Sequence, residues 1–299
     1  MRPGRLVPGD TLALVAPAGP VPRDLLDAAI PVLESWGLRV RVGACVRSRH
    51  KTVRYLSATD EQRAAEFTEA WLDPAVNCVF AARGGYGTTR MLDLVDWPAL
   101  RAAGPKVLAG SSDITALHEA VSVHLGLATL FSPMPASVNF DEFAAEHLRQ
   151  TLFEPEKALS LAGSDVLVPG RARGTLVGGN LSLVAAGIGT PGHRPATGGI
   201  VVLEDVTEDV YRIDRMLTQL LRSGWFSGVA GIVLGSWSRC GDPAELRALL
   251  LERLGTLGVP ILGELGFGHV PSAPTVPLGI DAELDTEVGT LTLLEPALR

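Results

Sequence analysis

The sequence contains few cysteines, and their spacing predicts neither a metal knuckle nor a disulfide framework. Cys45, Cys78 and Cys240 are the three cysteines among 299 residues. They are far apart and form no C-x-x-C pair, which such sites require. The H-E-x-x-H pattern and clustered histidine and acidic residues are also missing, so we expect a site without metal or other cofactor.

Long apolar runs and an excess of basic charge are missing as well. No uninterrupted apolar run approaches the length of a membrane span, and residues 1–10 lack the apolar core of a signal peptide. Lys and Arg number 26 against 33 Asp and Glu, for a net charge of −7. This balance argues against nucleic acid or an anionic membrane as a partner. We therefore expect a cytoplasmic protein.

The chain has enough apolar residues for a packed core, with 46% hydrophobic and 20% charged residues. In its first half, apolar runs alternate with amphipathic helical patterns. The runs cover residues 11–17, 38–42, 77–82, 107–109 and 127–131, and the helical patterns cover 23–36, 60–72 and 89–94. This alternation predicts a mostly parallel α/β sheet of Rossmann or flavodoxin type. Ligands of such sheets bind beyond the carboxyl ends of the strands.

The pattern changes after about residue 150. Residues 154–170 resemble a connector, and short apolar runs separated by glycines follow at 174–180, 198–204 and 231–235. Two helical patterns, at 211–223 and 243–254, interrupt these runs, and residues 287–294 alternate like a strand. We predict an N-terminal α/β domain over 1–153, a linker over 154–170 and a β-rich C-terminal domain over 171–299.

One stretch, residues 106–118, has the pattern of a catalytic turn. A short apolar run ends at Gly110, and Ser112 precedes a helical pattern. A sharp strand-to-helix turn of this kind is typical of a nucleophile elbow, in which the N–H after the serine faces a developing oxyanion. The common elbow is G-x-S-x-G, and Ile114 replaces its second glycine. The alternative is that Ser112 or Asp113 only caps the helix.

Residues 83–87, Arg-Gly-Gly-Tyr-Gly, form a second glycine-rich turn after a strand. Three interpretations are open. The turn could bind phosphate, although it matches neither common nucleotide motif. It could be a tight structural turn, or Gly84 or Gly85 could donate the second N–H of an oxyanion hole beside Asp113.

Two further residues complete a candidate constellation. Glu204 ends an apolar run, where a carboxylate can orient a histidine, although the neighbouring acids Asp205, Glu208 and Asp209 make a solvated turn plausible. His269 lies in a loop of glycine and proline suited to a catalytic base, and an exposed loop histidine is the alternative. Serine, acid and base in this chain order occur in triads on several unrelated folds.

Taken together, the motifs resemble the serine-type LD-carboxypeptidases, including the related microcin-immunity peptidases. The resemblance extends over nearly the whole chain. The matching segments are residues 9–11, 55–63, 83–87, 110–115, 178–181, 203–205, 211–215, 268–269 and 277–279.

The resemblance implies a two-domain homodimer that needs no metal and whose catalytic groups meet across a cleft. Ser112 matches the nucleophile, Glu204 the triad acid and His269 the base. The N–H groups of Asp113 and Gly85 match the oxyanion hole. The implied reaction removes the terminal D-alanine from a muropeptide tetrapeptide during cell-wall recycling.

Substrate contacts are less well defined by the resemblance. We assign Arg83, Gly84 and Ser111 to substrate binding. Arg83 and Arg239 are candidates for the substrate carboxylate, and Arg83 could instead brace its own turn. Ser111 stands where the family usually has an aromatic residue, which affects substrate preference, and Ala58 replaces a usual glycine.

Two other functions remain open at this stage. An immunity-type peptidase would cleave an aminoacyl-nucleotide or similar conjugate, but that branch is generally larger and the compact chain favours the cell-wall role. A muropeptide-binding module without catalysis would keep the cleft, but the presence of all three triad residues argues against it.

Overall fold

The computed structural model describes residues 1–299 and places them in two β-sheets with helices packed against them. The predicted α/β fold, with a parallel-rich first sheet and a second sheet, is confirmed. None of the helices combines the length and the apolar character that a bilayer span requires.

The first sheet has six strands. In spatial order they are Val276–Leu278 (β12), Thr129–Phe131 (β5), Val107–Gly110 (β4), Val76–Ala81 (β3), Thr11–Val15 (β1) and Arg39–Val42 (β2). All neighbours pair in parallel except β12, which runs antiparallel to β5. The carboxyl ends of β1 to β5 therefore lie at one edge of the sheet.

Six helices accompany this sheet. They are Arg23–Ser35 (α1), Asp60–Leu72 (α2), Thr88–Met91 (α3), Trp97–Ala103 (α4), Thr115–Leu125 (α5) and Glu142–Phe153 (α6). In α1 the buried residues Leu26, Ala29 and Leu33 recur every three or four positions and form one apolar face. A capping box between Thr59 and Gln62 begins α2.

The second sheet has eight strands. In spatial order they are Ser160–Ala162 (β6), Thr290–Leu293 (β14), Asp281–Asp285 (β13), Arg171–Asn180 (β8), Gly199–Val206 (β9), Gly231–Ser238 (β10), Ile261–Gly263 (β11) and Asp165–Val168 (β7). The four strands from β8 to β11 are parallel, and the outer strands pair antiparallel. Helices Leu181–Gly187 (α7), Val210–Arg222 (α8) and Pro243–Leu254 (α9) follow β8, β9 and β10.

The structure differs from the predicted chain division in two places. Residues 154–170 are more than a connector, because they contribute β6 and β7 to the second sheet. Strand β12, from the second half of the chain, pairs with the first sheet, and the Arg5 N–H donates to the Arg299 carbonyl at 2.9 Å. The two halves of the chain are therefore interleaved at β12 and at the C-terminus.

A shared apolar core joins the two sheets. Phe131 at the end of β5 and Val276 of β12 cluster with Leu176, Ile200 and Val233 of the second sheet. This packing fixes one sheet against the other and brings the end of β8 to the start of α5.

Candidate active site

Ser112 lies at the corner where β4 turns into α5. Its φ is +59°, in the left-handed region that residues with side chains seldom occupy. A single 3-10 turn, Ser112–Ile114, leads into the helix, and no side chain caps either element. The structure thus places Ser112 in a strained turn of the predicted kind, and it does not cap α5.

The glycine turn at residues 83–87 lies directly against Ser112. A Cβ placed on Gly84 would lie 3.0 Å from the Ser112 Cβ and 3.2 Å from its Oγ, so only glycine fits here without displacing the hydroxyl. Gly85 has a φ of +113° and is exposed. Its N–H donates to no other group of the chain. This free donor is available to an oxygen bound beside Ser112.

The turn is held from behind by buried polar groups. Arg63, which is 0% exposed, donates to the Gly87 carbonyl at 2.7 Å and also to the Pro17 carbonyl and to Asp60. The Asp113 carboxylate accepts the Thr88 N–H at 2.8 Å. Burial raises the pKa of Asp113 despite these bonds. Both turns are therefore tied to each other and to the end of β1.

The half-buried His269 pairs with the buried Glu204. The His269 Nδ1 lies 2.7 Å from the Glu204 Oε2, and the Glu204 side chain is 0% exposed. The His269 N–H donates to the Ser236 Oγ at 2.9 Å, which holds the loop on β10. Gly268 has a φ of +111°, and a Cβ there would lie 2.4 Å from the Glu204 Oε2. The loop can approach the carboxylate only because this residue is glycine.

The pair changes the protonation of the histidine. Burial by itself lowers the pKa of His269, but the hydrogen bond and charge of Glu204, with Asp205, outweigh it, so the net pKa is raised. His118, which follows Ser112 on α5, behaves differently. Burial lowers the pKa of His118 to about 4, and its Nε2 lies 2.9 Å from the Gly110 carbonyl oxygen. His118 is thus a neutral structural residue, whereas the pKa of His269 is raised by its carboxylate neighbours.

Asn180 connects Glu204 to the start of α5, and the sequence analysis gave it no role. Its Nδ2 donates to Glu204 at 3.1 Å and to Asp205 at 3.0 Å. Its N–H donates to the Oγ1 of Thr115, the first residue of α5, at 3.0 Å. The one signal in the sequence was its position at the end of an apolar run, within the family-like segment 178–181.

Asp205 is 2% exposed, so the solvated-turn alternative is wrong for this residue. Its carboxylate accepts from Asn180, from the Ser182 N–H and hydroxyl, and from the Val206 N–H. The carboxylates of Glu204 and Asp205 are thus buried next to each other, and each accepts hydrogen bonds.

The remaining predicted residues lie around these groups. Ser111 is buried beside the nucleophile, and Arg83 donates to the Pro20 carbonyl at 2.6 Å, which braces its own turn. Arg239 is exposed after β10, and its charge lowers the pKa of His269, so it lies nearby. No hydrogen bond joins the Ser112 hydroxyl to His269. No three His, Cys, Asp or Glu side chains converge to hold a metal ion.

Family models identify both halves of the chain. The LD-carboxypeptidase N-terminal domain matches residues 12–132, and the LD-carboxypeptidase C-terminal domain matches residues 173–284. A Streptomyces coelicolor protein is 56% identical over 302 residues, covering 100% of this chain and 97% of that protein. The murein tetrapeptide carboxypeptidase of Pseudomonas aeruginosa is 36% identical over 291 residues, covering 92% of each chain.

Solved structures agree with the family models. The muramoyltetrapeptide carboxypeptidase of Oxalobacter formigenes superimposes with a TM-score of 0.82 at 32% identity, covering 95% of this chain and 97% of that one. The microcin immunity protein MccF, solved with glutamyl sulfamoyl guanosine, gives a TM-score of 0.87 at 21% identity, covering 100% and 99%, which establishes a shared fold alone. The chain belongs to the LD-carboxypeptidase family of serine-type carboxypeptidases.

Proposed function

We propose that the protein releases the terminal D-alanine from a muropeptide tetrapeptide through a Ser112–Glu204–His269 triad. The observation that supports this most directly is the pairing of His269 with the buried Glu204 at 2.7 Å, tied through Asn180 to the first residue of α5. A carboxylate that holds one nitrogen of a histidine leaves the other nitrogen free to act as a base.

The first step is attack by Ser112 on the amide carbon between an L-configured diamino acid and D-alanine. The His269 Nε2 takes the hydroxyl proton and passes it to the leaving nitrogen of D-alanine. Glu204 keeps the Nδ1 proton in place and stabilises the cationic ring. Catalytic hydrogen bonds are often long or absent without substrate, so the Ser112–His269 bond is expected to form when the peptide binds.

The tetrahedral oxyanion is stabilised by the N–H groups of Asp113 and Gly85. In comparable sites, each such donor lowers the activation free energy by about 3 kcal/mol. The N–H of Gly85 is unpaired, which supports its role as an oxyanion donor. The strained φ of Ser112 supports the same role for the N–H of the next residue, Asp113. Water then hydrolyses the acyl-enzyme by the same proton transfers in reverse.

The substrate assignment rests on the named relatives. Proteins 36% and 32% identical to this chain are named for murein tetrapeptide and muramoyltetrapeptide. Arg83, Gly84 and Ser111 are proposed to contact the peptide. A role in peptidoglycan recycling, a cytoplasmic location and a homodimeric state are parts of the same proposal.

Mass spectrometry of an L-Ala–D-Glu–(L-diamino acid)–D-Ala muropeptide, incubated with wild type or Ser112→Ala, tests this function. We expect D-alanine to be released by the wild type and not by the variant. Intact tetrapeptide in both samples would contradict the cell-wall function. A muropeptide-binding module would bind the peptide and leave it intact in both.

A peptidase of the microcin-immunity type is the second candidate, favoured by the fold shared with MccF at a TM-score of 0.87. The same nucleophile and base would then cleave an aminoacyl-nucleotide or a related amide conjugate. Incubation with aminoacyl sulfamoyl nucleosides separates the two, because only this second function predicts loss of that compound with the tetrapeptide left intact.

A further inference from the structure

A cavity of about 390 Å³ opens beside the proposed oxyanion turn. Its walls come from three loops, residues 19–22 after β1, residues 49–55 after β2, and residues 83–86 after β3. These strands are neighbours in the first sheet, and the cavity lies at their carboxyl ends, where parallel α/β sheets bind ligands. We call this cavity the arginine cup.

Three guanidinium groups line the arginine cup, those of Arg49, Arg54 and Arg83. None of them pairs with a carboxylate, although Arg47 and Arg90 nearby pair with Asp27 and Asp60. The chain as a whole carries a net charge of −7. Three cations without anionic partners in one cavity of an acidic protein favour an anionic ligand, since guanidinium groups bind carboxylates and phosphates in a fixed fork geometry.

The walls of the cup are braced. The Gly19 N–H donates to the Gly84 carbonyl at 3.0 Å, which joins the first loop to the third. The rings of Tyr55 and Tyr86 meet edge to face at 5.7 Å and join the second loop to the third. Because the loops hold one another, the backbone that carries the three arginines is fixed relative to the proposed oxyanion turn.

Gly85 lines both the arginine cup and the proposed oxyanion hole. In a peptide with a terminal D-alanine, the terminal carboxylate lies only two bonds beyond the scissile nitrogen. The substrate considered above also has an internal carboxylate on D-Glu. An anion-binding cavity that begins at the oxyanion donor is within reach of a peptide carboxylate while the scissile amide lies at Ser112.

We infer that the arginine cup is a substrate-carboxylate subsite in which Arg49 and Arg54 bind a carboxylate of the peptide, beside Arg83, which the Pro20 carbonyl holds in place. The inference rests on the proposed function and extends it, because it names the part of the chain that recognises the charge of the substrate. The terminal D-alanine and the internal D-Glu are the two sources of that carboxylate.

Steady-state kinetics of Arg49→Gln/Arg54→Gln test the subsite with three peptides. The first is the tetrapeptide, the second ends in D-alaninamide, and the third has the D-Glu α-carboxylate amidated. Losing hydrogen bonds to a charged group predicts a fall in kcat/KM of about 10- to 100-fold on the first peptide, through KM. The carboxylate that binds in the cup is the one whose amidation makes wild type and variant equal.

The matched control is Arg39→Gln/Arg222→Gln, which removes the same charge from two exposed arginines outside the cup. We expect it to change kcat/KM by less than about twofold, as surface substitutions usually do. Unchanged kinetics of the cup variant, or an equal loss on all three peptides, would overturn the subsite.

Failure of the proposed function is recognised separately, as absence of D-alanine release by the wild type. In that case calorimetric titration of the tetrapeptide into Ser112→Ala, with and without the two arginine substitutions, tests the cup. Weaker binding in the arginine variant supports the subsite. Equal binding, or no binding by either protein, rejects it.

Discussion

The two sides of the candidate active site are built in different ways. The nucleophile side comes from one contiguous stretch, in which β4 ends at Gly110 and the strained residue Ser112 begins the turn into α5. The base side joins Glu204 and His269, which lie 65 residues apart, and holds them with Asn180 and Ser236 from two further strands. Local backbone geometry positions Ser112, the proposed nucleophile, whereas tertiary hydrogen bonds position His269, the proposed base.

This contrast predicts where substitutions act. Changes on the nucleophile side should alter the position of the Ser112 hydroxyl and leave the pH dependence of kcat/KM unchanged. Changes to the carboxylates of the base side, or to their donors, should alter the protonation of His269, because the hydrogen bond and charge of Glu204 and the charge of Asp205 raise its pKa. The pH profile of kcat/KM therefore separates the two sides.

Glu204→Gln is expected to have the largest effect. Loss of the carboxylate that orients a triad histidine lowers activity by about 10⁴-fold in the comparable serine protease, and we expect a loss of about 10³- to 10⁴-fold here. Because the pKa of His269 is raised, we expect the acid limb of the wild-type profile to lie above the ordinary pKa of a histidine. The variant lacks the charge that raises this pKa, so its limb should move to lower pH.

Glu208→Gln provides the matched control, since Glu208 is a half-buried carboxylate of the same segment that pairs with Arg212 at 2.7 Å and is not among the charges that shift the pKa of His269. It should leave both rate and profile unchanged. An acid limb at the wild-type pH in Glu204→Gln would contradict the assignment of this limb to His269.

The same pair also links stability to pH. A raised pKa in the folded state means that His269 stabilises the fold fully below its unfolded pKa, and this contribution is lost as pH rises through the folded pKa. In Glu204→Gln this stabilising contribution should shrink. Thermal unfolding of wild type and variant, measured below the unfolded pKa and above the folded pKa of His269, would show the difference.

Gly84→Ala tests the nucleophile side. The added Cβ would lie 3.0 Å from the Ser112 Cβ and must displace it by a few tenths of an ångström. Because small misplacements of reacting atoms are costly, we expect kcat to fall by about 10- to 100-fold, with no shift of the pH profile. Gly4→Ala, where a Cβ meets nothing within 4 Å, is the control. Full activity in Gly84→Ala would show that the hydroxyl does not need this space.

The sequence predicted the two sides unequally well, for physical reasons. The Ser112 turn is a local pattern, and periodicity together with one glycine was enough to place it on a strand-to-helix corner. The residues alone offered the pairing of Glu204 with His269 only as one alternative, and the family resemblance made it the favoured one, because no spacing rule relates residues that meet through tertiary packing. Asn180 and the buried state of Asp205 were missed for the same reason, since both depend on which strands are neighbours.

Short strands were the other limit of prediction. Strand β6 has three residues, and so does β12, which is too few for an alternating pattern to be recognised. Pro277 also argues against a strand in β12, except at the edge of a sheet, and β12 is the edge strand. The interleaving of the two halves of the chain follows from these strands and could not be foreseen.

Asn180→Ala is expected to reduce kcat/KM by about tenfold and to shift the acid limb to higher pH. The Asn180 Nδ2 donates to both Glu204 and Asp205, and without it more of their negative charge acts on His269. Asn180 also caps α7 through its Oδ1. Asn180→Asp keeps that acceptor, removes the donor and adds charge, so its limb should shift further in the same direction. A wild-type profile in Asn180→Asp would mean that only the cap matters.

Ser236→Ala should have the smallest effect and is the sharpest test of the contrast within the base side. The Ser236 Oγ accepts the backbone N–H of His269 at 2.9 Å and does not contact the ring. One neutral hydrogen bond contributes about 0.5–1.5 kcal/mol, so kcat/KM should fall by about two- to tenfold. The acid limb should stay at the wild-type pH, because Ser236 holds the loop and leaves the charge around the imidazole unchanged. A shifted acid limb would show that the position of the loop itself sets the pKa of His269. Ser236 would then affect protonation as well as positioning, and the contrast would not hold at this residue.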